Sequence, residues 1–241
     1  VKYVLKAYQD QIAQKALDSF TCCWKQPYIF HSDSEWADIF KNARGNQINF
    51  LNCREFVTDY GLMRAFRWKK PRPDEIIVPN EGFLRVLERE IRAEKPDPIS
   101  LANNWVKEGV FTSRQVSASS KFLFFLCPDA RLAIFDSRAC TAIKERFKSA
   151  LSGKRQSLNF QNTSNGFQDY VNGVLDVVSK HNGFWMATVS EYHQEHPHLN
   201  TNFFLRRIAD KHLYFEGVIL DKYRDKNNPK PLDVCVKNTL S

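Results

Sequence analysis

Gln115–Arg146, QVSASSKFLFFLCPDARLAIFDSRACTAIKER, decides the reading of this chain. Ser117, Ala118, Ser119 and Ser120 form a small, hydroxyl-rich run that reads as a tight loop. Lys121 follows at the head of Phe122–Leu126, which is apolar on every side and so predicts a buried helix or strand. Pro128-Asp129 stops that element, because proline cannot continue a helix. Leu132–Phe135 is a second short apolar run, and Asp136-Ser137 reads as the N-cap of a helix over Arg138–Phe147. Two ionisable residues, Lys121 and Asp136, thus flank a strongly apolar segment, where a charge is costly unless paired or used.

Outward from this stretch the pattern is mostly helical. Apolar positions predict helices within Val1–Phe20, from Ser32 or Asp33 to Ala43, and over Asn49–Gly61. Further helices are expected over Glu81–Lys95 behind an Asn80 cap, over Ile99–Val110, and over Gly166–His181. Ser149–Asn165 reads as a polar loop, Gly183–Ser190 as a strand or buried helix, and Thr201–Leu220 as one or two helices. The fold expected is mainly α, with many short helices joined by short turns, and 221–241 reads as a charged tail.

The chain has 241 residues, 35 Lys+Arg against 27 Asp+Glu, a formal charge of +8 and a pI near 9.2. That balance favours a polyanionic partner, nucleic acid first. The densest basic run is RAFRWKKPR, where Arg64, Arg67, Lys69, Lys70 and Arg72 interleave with Phe66 and Trp68. It reads as a phosphate-binding arm carrying a ring that wedges or stacks, against the simpler reading of a solvated loop. No apolar stretch is long enough to span a membrane, and Val1–Ala7 does not read as a signal peptide. The six cysteines are scattered without a C-x-x-C pair, which suits free thiols in a reducing compartment. A cytoplasmic or nucleoid-associated monomer is the expectation. No P-loop or G-x-G-x-x-G is present, so a nucleotide cofactor is not expected.

An amine beside apolar walls gains nucleophilicity, and a carboxylate at a helix N-terminus suits a developing positive charge. Lys121 and Asp136, fifteen residues apart, would supply both if the hairpin brings the two helix starts together. The plainer alternative is a surface lysine and a routine helix cap. His193, Glu195, His196 and His198 could ligate a metal, but their spacing fits no H-E-x-x-H helix, and Pro197 makes an exposed loop the expected outcome.

The segment SASSKFLFFLCPDARLAIFDSRA resembles the core of the helix-hairpin-helix DNA glycosylases, in particular the 8-oxoguanine DNA glycosylase-like branch. Lys121 stands at the family's catalytic lysine, Asp136 at its catalytic aspartate, and Ser117–Ser120 in its hairpin, where the family normally has glycines. The resemblance implies two helical lobes with a helix-hairpin-helix-type motif at a central cleft: residues 1–98 an N-terminal lobe with the basic arm, 99–220 a catalytic lobe, and 221–241 a tail. It further implies duplex DNA as partner, no metal and no other cofactor, and base flipping into a pocket. It implies that Asp136 stabilises an oxocarbenium-like sugar, while Lys121 attacks the anomeric carbon and opens a Schiff-base lyase route. With Lys121 out of reach, Asp136 would support attack by water alone. Ser117, Ser119, Ser120, Arg114 and Arg138 would join the basic arm in contacting DNA. Trp24, Trp36, Trp68, Trp105, Trp185 and Phe204 are the supply of pocket aromatics, each more often core than pocket. The target would be an oxidised purine or a modified base of foreign DNA. A non-catalytic DNA-binding module and a metal-dependent nuclease built on the His193–His198 stretch are the alternatives.

Overall fold

The computed structural model describes residues 3–43, 48–62, 81–150, 159–225 and 227–241. The protein is mainly α, and among the described residues there is no strand. A 3-10 turn over Lys6–Tyr8 leads into α1 (Gln9–Lys25), followed by α2 (Asp33–Ala43), α3 (Phe50–Asp59), α4 (Glu81–Ile91) and α5 (Pro98–Lys107). Then come α6 (Val116–Leu126), α7 (Ser137–Ala150), α8 (Ser164–Glu195), α9 (Thr201–Tyr223) and α10 (Leu232–Leu240). None of the described helices is long and apolar enough to cross a membrane.

The chain divides into two compact units, Cys22–Leu132 and Val1–Thr21 with Ala133–Ser241. This is not the expected division at residue 98. The reason is the packing of α6, whose apolar side chains are covered by α2 to α5. Phe122 lies 4.8 Å from the ring of Phe56, 5.6 Å from Phe83 and 6.3 Å from Trp105, and Phe83 stacks on Trp105 at 4.9 Å. Such ring pairs each contribute about 0.5–1.5 kcal/mol beyond the area they bury. Local signals set the helix starts: Asn49 Oδ1 accepts from Leu51 N at 2.8 Å, and Asp97 Oδ1 accepts from Ile99 N at 3.0 Å with Pro98 in the first turn. Gly109, at φ +70°, supplies the left-handed residue that closes α5.

In the other unit α9 is central and packs against α7, α8 and α10, while α7 also meets α8. Two glycines set the close approaches. A Cβ at Gly217 would lie 2.1 Å from Arg138 O, and one at Gly173 would lie 2.8 Å from Ile143 Cγ2. One expectation changes here. Gly166–Glu195 is one uninterrupted helix, because burial of Trp185, Val189 and Tyr192 outweighs the cost of Gly183. Thr201–Leu220 is one helix, the first of the two outcomes expected. In the charged tail, α10 buries Cys235 and Val236. The expected cap at Asn80, the basic arm over 64–72 and the 151–158 part of the expected polar loop lie outside the described residues.

Candidate functional site

Lys121 belongs to the unit Cys22–Leu132. The loop expected over Ser117–Ser120 is helix: α6 begins at Val116, one turn ahead of Lys121. Serine tolerates this when its hydroxyl bonds back to the preceding turn. Ser119 Oγ donates to Val116 O at 3.0 Å and to Pro98 O at 2.7 Å, and Ser120 Oγ donates to Ser117 O at 3.0 Å. Both serines are fully buried, so neither presents its hydroxyl to a phosphate, a correction to the reading from the sequence. Ser117 is half-buried, and its Oγ accepts from Lys121 Nζ at 3.1 Å, which turns the amine back along its own helix. Arg114, just ahead of α6, is exposed.

Asp136 belongs to the other unit and caps α7 as expected. Its Oδ1 accepts from Arg138 N at 2.8 Å and from Ala139 N at 3.3 Å. Its Oδ2 has no hydrogen-bond partner among the described residues of its unit, and the side chain is half-exposed. The backbone behind it is fixed by the fully buried Tyr170, whose hydroxyl donates to Ile134 O at 2.7 Å and accepts from Asp136 N at 3.4 Å. Burial pushes the Tyr170 phenol well above its ordinary value, so it remains a donor. Arg138 is exposed but engaged: it donates to Tyr214 Oη, lies 5.0 Å over that ring and pairs with Asp221 at 4.0 Å. Arg64, Arg67, Lys69 and Lys70 lie outside the described residues.

The aromatic candidates for a base pocket resolve into core. Trp24, Trp36, Trp105, Trp185 and Phe204 are all essentially inaccessible, and Trp68 lies outside the described residues. In the histidine stretch, Tyr192–Glu195 is the last turn of α8 rather than loop. His193 Nδ1 donates to Leu199 O at 2.7 Å and so closes the turn that follows. All six cysteines are free. Burial raises the Cys53 thiol and pushes Cys140 up to about 12, which leaves both unreactive.

Two arrangements had no reading in the sequence. The first is the turn at residues 29–31. Asp59 accepts from Ile29 N, Phe30 N and His31 N at 3.0–3.1 Å and from Trp36 Nε1 at 2.9 Å. That grip leaves Ile29 66% and Phe30 46% exposed at the surface of their unit. The second is a cavity of about 680 Å³ bordered by the N-terminal turn, α7 and α8. Behind it Arg146 and Glu216 form a two-point ion pair at 2.5 and 2.9 Å, with Glu216 wholly buried. Gln9 joins both: its Oε1 accepts from Arg146 at 2.7 Å and its Nε2 donates to Glu216 at 2.7 Å. His212 Nε2 lies 3.1 Å from Glu216 Oε1, and the His181 ring lies 4.8 Å from the His212 ring.

The electrostatics of this cluster follow from burial and pairing. Burial acts to raise the Glu216 carboxyl, but hydrogen bonds from His212 and Arg146 outweigh it and hold the group well below the carboxylate range. Burial lowers His212 against the pull of Glu216. Burial, then His212 and Arg146, bring His181 down to about 4. Both rings are therefore neutral near pH 7. Only the i,i+4 pair His212/Glu216 is local enough to be visible in a sequence. Gln9 and Arg146 come from distant segments.

Comparison with protein-family models, with curated proteins and with solved structures returns no match.

Proposed function

We propose that the protein is a DNA glycosylase that removes a modified base, with Asp136 and Lys121 as its catalytic pair. One observation carries the reading: Asp136 is oriented through one oxygen by two backbone N–H groups, and its other oxygen has no partner among the described residues of its unit. That is the geometry of a carboxylate held still to face charge that develops elsewhere. The net charge of +8 supplies attraction to a phosphate backbone. Lys121, one turn into an otherwise buried helix, carries the amine.

In the proposed reaction the target nucleotide is extruded from the duplex. The glycosidic bond breaks with its electron pair leaving on the base, and the Asp136 carboxylate stabilises the cationic sugar. The unprotonated Lys121 amine forms the new bond to C1′ and loses a proton. Ring opening gives a Schiff base, and β-elimination expels the 3′ phosphate.

The test uses the cap chemistry. Asparagine caps a helix about as well as aspartate, so Asp136→Asn keeps the fold of α7 and removes only the charge. Base release from modified duplex should fall by roughly 10²–10³-fold with DNA affinity retained. Borohydride should trap a covalent protein–DNA adduct in the wild type and none in Lys121→Gln. Undiminished base release in Asp136→Asn would leave that residue a helix cap, and no base release by the wild type would leave the chain a non-catalytic DNA-binding module.

A further inference from the structure

The cavity beside Arg146 stands apart from Asp136: ten residues of α7 separate them, about 15 Å at 1.5 Å per residue. At about 680 Å³ it lies within the range of about 300–1,000 Å³ typical of small-molecule sites. Its walls and its mouth have different chemistry. Ile143, Gly173 and the rings of Tyr3 and Phe147 give an apolar, partly aromatic interior. The inner end is closed by the Arg146–Glu216 pair, whose charges cancel, and by Gln9. Burial, with the Glu216 carboxylate beside it, pushes the Tyr3 phenol far above its ordinary value, so Tyr3 contributes a neutral ring. The mouth carries Lys6, Lys180 and Asp176. Lys180 is neutralised by Asp176 at 2.6 Å, whereas Lys6 is exposed and forms no ion pair with a described residue. Among the described residues, one positive charge is left over at the rim of an apolar chamber.

We propose that this cavity binds a small aromatic monoanion, a ring system lodged against Ile143, Tyr3 and Phe147 with its carboxylate at Lys6. A neutral ring would leave Lys6 without its partner, and a dianion would meet one uncompensated cation among the described residues. The His181 ring beside the chamber is neutral near pH 7 and adds aromatic wall rather than charge. The site is independent of the reaction proposed at Asp136, and its test contains no DNA, so either can fail without the other.

The probe is 1-anilinonaphthalene-8-sulfonate, a flat aromatic with one anionic group, titrated into the full chain and followed by fluorescence and by thermal unfolding. Expected are saturation at one probe per chain and a rise in Tm, because a ligand that binds only the folded state stabilises it. N-phenyl-1-naphthylamine, which lacks the sulfonate, should bind at least about tenfold more weakly. Lys6→Glu should weaken the sulfonate probe about fivefold or more and leave the neutral one unchanged. Asn172→Trp, which places an indole at the exposed mouth, should abolish binding of both. The Ile143 methyl resonance should shift on saturation. 1-Naphthoate should displace the probe, and 1-naphthyl phosphate, largely a dianion near pH 7, should displace it less well. Unsaturable fluorescence, equal affinity for both probes, Lys6→Glu binding like wild type, or no competition by 1-naphthoate would overturn the proposal.

Discussion

At the scale of single residues, the Glu216–Arg146–Gln9–His212 cluster ties the first turn of the chain to its last long helices. A buried ion pair is costly to desolvate and is tolerated here because each charge has several hydrogen-bond partners. Its consequence is a pH dependence of stability. His181 titrates near 6.5 when unfolded and near 4 when folded. Above pH 6.5 neither state holds the proton. Between 6.5 and 4 the unfolded chain binds a proton that the folded chain refuses, so stability is lost as the pH falls through that window. The lowered His212 acts in the same direction. Thermal unfolding from pH 7 to 4.5 should show a falling Tm, with a visibly shallower slope in His181→Gln. An equal slope in that variant would assign the effect elsewhere. Beyond the His212/Glu216 spacing none of this was legible locally, because Gln9, Arg146 and His181 come from distant segments.

At the scale of elements, the crossing of α7 and α9 is set by one missing side chain. Alanine normally improves a helix interior over glycine by about 0.5–1 kcal/mol. At Gly217 the added Cβ would meet the Arg138 backbone at 2.1–2.8 Å, and backbone cannot rotate away. Gly217→Ala should therefore destabilise, by about 1–3 kcal/mol, despite its better propensity. Gly183 in α8 has nothing within 4 Å of the same position, so Gly183→Ala should stabilise by about 0.5–1 kcal/mol. Opposite signs in chemical denaturation would establish that helix contact, not propensity, decides the first. The same competition explains what the sequence left open. Asp136 declared its helix start because a cap is a contact within three residues, and Asn49 and Asp97 cap by the same local contact. Ser117–Ser120 looked like a loop because serine and alanine suit loops and helices alike, and only burial against α5 selects the helix.

At the scale of the whole molecule, the charge of +8 predicts DNA affinity that falls steeply with salt. Reversing Arg67 and Lys69 to glutamate should weaken binding and reduce the slope of log K against log salt by about one for each phosphate no longer neutralised. An unchanged slope would retire the basic arm. The division into units obeys a different rule. Residues 1–21 join the C-terminal half through contacts such as Gln9 with Glu216 and Trp185 Nε1 with Ala13 O, across long stretches of chain. By itself the sequence determined the helical class, most helix starts and the candidate pair Lys121 and Asp136, since periodicity and caps act over a few residues. Only the tertiary structure decided which segments share a core, that Ser119 and Ser120 face inward, and that a chamber lies beside Arg146. Burial and cavity shape are sums over residues far apart in the chain, and no local pattern encodes them.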